Sequence, residues 1–113
     1  MNFFERENDI GNIEYKIYIN PKKNNKLLSQ FYYRMHEGGG KAIYFIGVHD
    51  HGHLYITNIS MLLKSINRFI NIIKDHAQYK IKIFTYKPYI YSIISLYNPD
   101  IPEANNIIDF NQF

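Results

Sequence analysis

The apolar run 42-AIYFIGV-48 most constrains the fold, because apolar side chains occupy both of its alternating faces. A strand of this kind has to be covered on both sides, so residues 41–49 are predicted to form a central strand of a sheet. The Asp50-His51-Gly52 connection that follows favours a tight turn. Residues 53–56 are then predicted to return as a short third strand.

The remaining pattern supplies two helices and three further strands. Residues 13–20 alternate as a half-buried first strand, and residues 24–36 and 58–76 carry apolar side chains at helical spacing. Residues 79–86 and 89–97 read as two strands divided by Lys87-Pro88. The order β-α-β-β-α-β-β predicts an α+β fold, a two-layer sandwich with both helices on one face of the sheet.

The alternation in the first strand assigns its side chains to two faces. The apolar set, expected to face the core, is Ile13, Tyr15, Ile17 and Ile19. The other set, expected on the solvated face, is Glu14, Lys16 and Tyr18.

Length and composition indicate a single domain spanning residues 1–113. Residues 1–12 are polar and predict a loose lead-in, and residues 98–113 predict an irregular tail that docks through Ile107, Ile108 and Phe110. The absence of cysteine excludes disulfides and thiolate metal sites. No apolar run reaches the length of a membrane span and the start has no signal-peptide core, so we expect a soluble, cytoplasmic protein with no membrane partner.

A net charge of +3 permits a nucleic-acid partner without requiring one. Lys80 and Lys82 alternate with isoleucines, and together with Lys16 and Lys87 they predict a basic strip on the outer sheet face. Such a strip, with tyrosines nearby, suits phosphate contacts and base stacking. A plain solvated sheet face explains the same pattern and stays open as the alternative.

Three histidines, His49, His51 and His53, alternate around the Asp50 turn. Three imidazoles are a zinc-ligand set if one side of a hairpin presents them together. Gly52 in the turn breaks the alternation, so a solvated role is the competing interpretation.

The segments 11-GNIEYKIYINP-21 and 33-YRMHEGGGKAIYFIGVHDHG-52, with the helix that follows, resemble the domain that precedes the GTPase domain in GTP-binding proteins of the GTPBP family. The resemblance spans about residues 9–86. It implies an RNA-binding, translation-associated module that contacts tRNA, the ribosome or another RNA. No G-x-x-x-x-G-K-[ST] motif occurs in the sequence, so no GTPase domain is present and we expect no GTP bound by this chain.

The same skeleton is similar, more distantly, to the Schlafen core domain. That likeness implies an acidic site of Asp9, Glu14 and Asp50, with Lys16 nearby, holding Mg²⁺ or Mn²⁺ in a homodimeric endoribonuclease that cuts tRNA or rRNA. The first acid is Asp9 where the Schlafen nucleases have Glu. The alternative from the residues alone is that Glu14 and Lys16 form a solvated pair and that Asp50 is a turn residue.

Three functions follow as expectations. The first is a non-catalytic RNA-binding module without a cofactor, whose contact surface is Lys16, Lys80, Lys82 and Lys87. The second is the metal-dependent endoribonuclease of the Schlafen type. The third is a protein–protein adaptor that uses the tyrosine-rich outer face.

Overall fold

A computed structural model describes residues 3–102 and contains one mixed sheet of four strands. In chain order these are β1 (Ile13–Lys16), β2 (Lys41–Ile46), β3 (Gln78–Tyr86) and β4 (Tyr89–Tyr97). In space the order is β1-β2-β4-β3. β1 runs parallel to β2, whereas β4 pairs antiparallel with both β2 and β3. The two long strands β3 and β4 therefore form a hairpin that joins the sheet through β4.

Two helices connect the strands, α1 (Asn24–Glu37) after β1 and α2 (Ile59–Ile73) after β2. α2 begins where the Asn58 side chain accepts a 2.9 Å hydrogen bond from the backbone N–H of Met61. α1 ends at a glycine triplet, and the last of these, Gly40, has φ +93°. A Cβ on Gly40 would stand 2.3 Å from the carbonyl oxygen of Asn98, so only glycine fits at this crossing.

Both helices pack on one face of the sheet, which we call the helix face. The core there is built from Leu27, Phe31 and Met35 of α1, Leu62, Ile66, Phe69 and Ile73 of α2, Ala42, Tyr44 and Ile46 of β2, and Ile94 and Leu96 of β4. The two-layer α+β architecture predicted from the sequence is thus confirmed, with both helices on the same side.

The opposite face, which we call the open face, is covered only in part. Residues 3–12, the N-terminal segment, cross it without forming a helix or strand. Phe4 contacts Phe45 and Tyr91 edge-on, with ring centroids 4.9 and 5.5 Å apart. This aromatic cluster on the open face explains why β2 is apolar on both faces.

The predicted third strand over residues 53–56 is reduced to one antiparallel bridge between Val48 and Leu54. His49 N–H donates to the His53 carbonyl at 2.8 Å, so the chain does turn back at Asp50 as expected. Residues Ile107, Ile108 and Phe110 lie outside the described residues. Within residues 3–102, neither helix is long and apolar enough to cross a bilayer.

Candidate functional site

Glu14 and Arg34 form a buried ion pair beneath β1. The Nε of Arg34 lies 3.0 Å from Oε1 of Glu14, and both side chains are almost fully buried. The strand register sets Glu14 beside Tyr44, whose side chain belongs to the helix-face core. The prediction that Glu14 lies on a solvated face is therefore wrong: Glu14 points at the helix layer, and Tyr15 points at the open face.

The physical reason is that both faces of β1 are covered. The N-terminal segment covers the open face, and Tyr15 packs beneath it, 7% exposed. On the helix face Arg34 of α1 neutralises Glu14, which makes burial of that carboxylate tolerable. Alternation alone predicts a solvated side chain for Glu14, because its buried partner Arg34 lies 20 residues away in the sequence.

Arg34 also fixes the N-terminal segment. Its two terminal nitrogens donate to the carbonyl oxygens of Gly11 at 2.8 Å and Asn8 at 2.9 Å. The Tyr33 hydroxyl donates to the Asp9 carbonyl at 2.7 Å, and Glu37 accepts from the N–H of Gly11. Helix α1 thus binds the segment that was expected to be a loose lead-in.

The acidic corner is the cluster of Glu7, Glu14 and Asp50. The backbone N–H of Glu7 donates to the Asp50 carbonyl at 2.7 Å, and its carboxyl accepts from the N–H of Tyr15. Burial, a hydrogen bond to the Glu14 carboxylate and the charges of Glu14 and Asp50 raise the pKa of Glu7 to about 7. Near neutral pH a protonated Glu7 carboxyl can therefore donate to the Glu14 carboxylate.

Sequence reasoning missed Glu7. The Schlafen pattern assigned the first acid to Asp9 by its spacing. Asp9 is exposed and its main chain is held by Tyr33 of α1. The signal available in 5-ERENDIGNIEYK-16 was a second candidate acid, Glu7, two residues before Asp9.

The acidic corner does not fit a metal ion as it is arranged. In the described part of the chain, no three His, Asp or Glu side chains converge in a way that could hold one. One oxygen of Glu14 is engaged by Arg34, and Glu7 is held by Glu14 and by Tyr15. The assignment of Asp9, Glu14 and Asp50 as ligands of Mg²⁺ or Mn²⁺ stays a prediction from the resemblance.

A basic groove lies on the half of the open face that the N-terminal segment leaves uncovered. Its volume is about 730 Å³. Three lysines line it, Lys41 of β2 and Lys80 and Lys82 of β3, and none of the described lining residues is acidic. The Lys41 ammonium lies 6.0 Å from the centroid of the Tyr97 ring. The aromatic side chains on this face of the groove are Phe84 and Tyr97, and its apolar floor includes Ile43 and Ile93.

The predicted basic strip is divided by the sheet order. Lys80 and Lys82 lie on β3, whereas Lys16 lies on β1 at the opposite edge, roughly 14 Å away over three strand spacings. Lys16 also pairs in register with Ile46, so it belongs to the helix face. The prediction that these lysines form one continuous surface is therefore wrong. Lys87 lies exposed in the turn that joins β3 and β4.

Lys16 instead lines a second basic cavity of about 190 Å³, which it shares with Lys23 and Lys26 at the start of α1. Tyr18 is the one aromatic residue among its described lining residues. The cavity is about a quarter of the volume of the basic groove, so the two differ in both size and aromatic content.

The three histidines of the Asp50 turn line a shallow cavity with Tyr55 and Tyr89. The rings of His49 and His53 are 6.5 Å apart between centroids. His51 is exposed at the tip of the turn. Within residues 3–102 these imidazoles do not form a group that could hold a metal ion.

Comparison of the sequence with models of known protein families gave no match, and comparison with curated proteins gave no relative. The resemblances to the GTPBP and Schlafen domains thus remain predictions from the quoted motifs.

Proposed function

We propose that this protein binds RNA through the basic groove, in unpaired stretches of tRNA, ribosomal RNA or another RNA. The observation that carries the proposal is the convergence of Lys41, Lys80 and Lys82 beside exposed aromatic rings, with no acidic residue among the described lining. The resemblance to the GTPBP domain supports a role in translation. No catalysis and no cofactor are required of this surface.

Phosphate attraction and base stacking would act together in the groove. Lysine ammonium groups contact phosphates without reading sequence, and neutralising phosphates releases counterions. Tyr97 and Phe84 are 42% and 37% exposed, so part of each ring is open to stacking with unpaired bases. A groove across a pleated sheet presents these groups to a flexible single strand.

The groove is favoured over the cavity at Lys16 because the aromatic rings are in the groove. Both surfaces have three lysines, so phosphate attraction alone does not separate them. Stacking contributes about 1–3 kcal/mol per base where an aromatic platform exists. The larger groove offers Phe84 and Tyr97 for that role.

The test is fluorescence anisotropy with a labelled single-stranded RNA over a salt series. Neutralising three phosphates predicts a slope of log K against log salt of about −2. The variant Lys41→Gln/Lys80→Gln/Lys82→Gln should abolish this slope and weaken binding at low salt by more than about tenfold, as expected for the loss of three phosphate contacts.

The matched control is Lys16→Gln/Lys23→Gln/Lys26→Gln, which removes the same charge at the second basic cavity. It should bind RNA within about twofold of the original chain, apart from the small effect of net charge. Equal losses in both triple variants would mean nonspecific attraction, and a loss only in the control would move the site to α1.

A second candidate is the Schlafen-type endoribonuclease, which the position of Glu7 beside Glu14 and next to the Asp50 turn favours. Incubation of tRNA with Mn²⁺ should then give discrete cleavage that EDTA, Asp50→Ala and Glu7→Gln each abolish. The RNA-binding proposal predicts intact tRNA in every lane. Cleavage that Asp50→Ala leaves unchanged would contradict the nuclease assignment and indicate contamination.

A further inference from the structure

Strand β3 forms one edge of the sheet and is exposed along its whole length. All nine of its residues, Gln78–Tyr86, are exposed, and β4 is the only described strand that pairs with it. An edge strand carries main-chain N–H and C=O groups that no neighbouring strand satisfies. Those groups are a template for one more strand.

The two faces of β3 differ in chemistry. Lys80 and Lys82 point to the open face. Ile93, the register partner of Lys82, packs there together with Phe45. Ile81 and Ile83 alternate with them and point to the helix face, yet they are 37% and 42% exposed. The edge is therefore basic on one face and apolar on the other.

Charge complementarity selects the occupant. In the fully paired antiparallel register, a second copy of the chain would bring Lys82 opposite Lys82 of that copy, and like charges directly opposite destabilise a strand pair. A strand with acidic side chains at alternate positions instead pairs with both lysines. Apolar side chains at its intervening positions would cover Ile81 and Ile83.

We propose that β3 is a docking edge for an extended protein segment that alternates acidic and apolar residues and adds to the sheet as a fifth strand. Main-chain hydrogen bonds would supply the attachment, and the alternation would supply the specificity. This inference does not depend on the proposed RNA binding. It shares Lys80 and Lys82 with the basic groove, but its attachment rests on the main chain of β3 and on the helix-face isoleucines, which do not line that groove.

The test uses a blocked peptide as long as β3 that alternates Val and Glu, and a second peptide with Lys in place of Glu. The acidic peptide should bind at least about tenfold more tightly, because two opposite-charge pairs are replaced by two like-charge pairs. Hydrogen exchange should slow at the amides of β3 that β4 does not bond, because strand addition hydrogen-bonds them.

Three variants separate this proposal from the RNA proposal. Ile81→Ser/Ile83→Ser should weaken binding of the acidic peptide and leave RNA binding unchanged. Lys41→Gln should weaken RNA binding and leave peptide binding unchanged. Ile59→Ser/Leu63→Ser removes two comparably exposed apolar side chains from α2 and should affect neither ligand.

A charge exchange guards against a variant that fails to fold. Lys80→Glu/Lys82→Glu should reverse the preference, so that the lysine peptide binds more tightly than the acidic one. The proposal is overturned if both peptides bind the original chain equally, if neither binds, or if protection appears away from β3. Sedimentation that shows self-association lost on Ile81→Ser/Ile83→Ser would assign the edge to a second copy instead.

Discussion

Glu7 is a residue whose ionisation is coupled to folding between pH 4.5 and neutral pH. Its pKa rises from 4.5 to about 7 because the folded chain buries it against Glu14 and near Asp50. Because the pKa of Glu7 is higher in the folded state than in the unfolded state, its contribution to folding stability is complete below pH 4.5, where Glu7 is protonated in both states. As the pH rises from 4.5 through 7, the folded state loses stability relative to the unfolded state.

Glu7→Gln should remove this dependence. The glutamine oxygen can still accept from the Tyr15 N–H, and its amide can donate to Glu14 at any pH. We therefore expect the variant to gain stability over the original chain at pH 8 and little at pH 5, measured by urea unfolding at both values. Glu5→Gln removes an exposed carboxylate from the same segment and is the control. A gain that is equal at the two pH values would contradict the raised pKa of Glu7.

The acidic corner shows what residue-level patterns can and cannot predict. The Asp50 turn was predictable because an apolar run followed by Asp-x-Gly is a local signal. The partner of Glu14 was not, because Arg34 reaches it only after α1 has packed on the sheet. Alternation identifies which residues share a face, but it does not say which face a covering segment will bury.

At the scale of elements, the N-terminal segment depends on a close approach to the Asp50 turn. The carbonyl oxygen of Gly52 accepts from the N–H groups of Phe3 and Phe4 at 3.1 and 3.0 Å. A Cβ on Gly52 would stand 2.0 Å from the Phe4 carbonyl oxygen. This contact leaves no room for a side chain, so Gly52 allows the segment to seal the aromatic cluster on the open face.

Gly52→Ala should displace the segment, and Gly11→Ala is a matched control. Both glycines have φ near +90°, but an added Cβ on Gly11 meets no atom within 4 Å. Backbone strain is thus common to both variants, and the clash is specific to Gly52. We expect Gly52→Ala to cost roughly 1–3 kcal/mol more than Gly11→Ala, measured by urea unfolding. Hydrogen exchange at Phe3 and Phe4 should quicken only in Gly52→Ala, and equal losses would contradict the packing described.

The helices and long strands were predictable because their patterns are long. β4 has the predicted bounds Tyr89–Tyr97, and α1 differs from its prediction by one residue. Short elements were less predictable. β1 stops at Lys16, whose carbonyl accepts from the N–H groups of Gly47 and Val48, although the alternation continues to residue 19. The predicted third strand is reduced to the bridge between Val48 and Leu54, which the turn at Asp50 brings together.

At the scale of the whole molecule, strand order decides which lysines meet. The sequence indicated two layers and the number of long elements, but it does not state that β4 lies between β2 and β3. That order brings Lys41 beside Lys80 and Lys82 and separates them from Lys16. Lys41 was missed for this reason, since it lies 39 residues from Lys80 along the chain.

The measurement that tests the RNA proposal most directly is a two-dimensional NMR titration of the labelled chain with a single-stranded RNA at low salt. The account predicts the largest amide shifts around Lys41, Lys80, Lys82 and Tyr97, and their reversal when salt is added. Shifts centred on Lys16, Lys23 and Lys26, or no shifts at an RNA concentration that saturates binding in anisotropy, would contradict it.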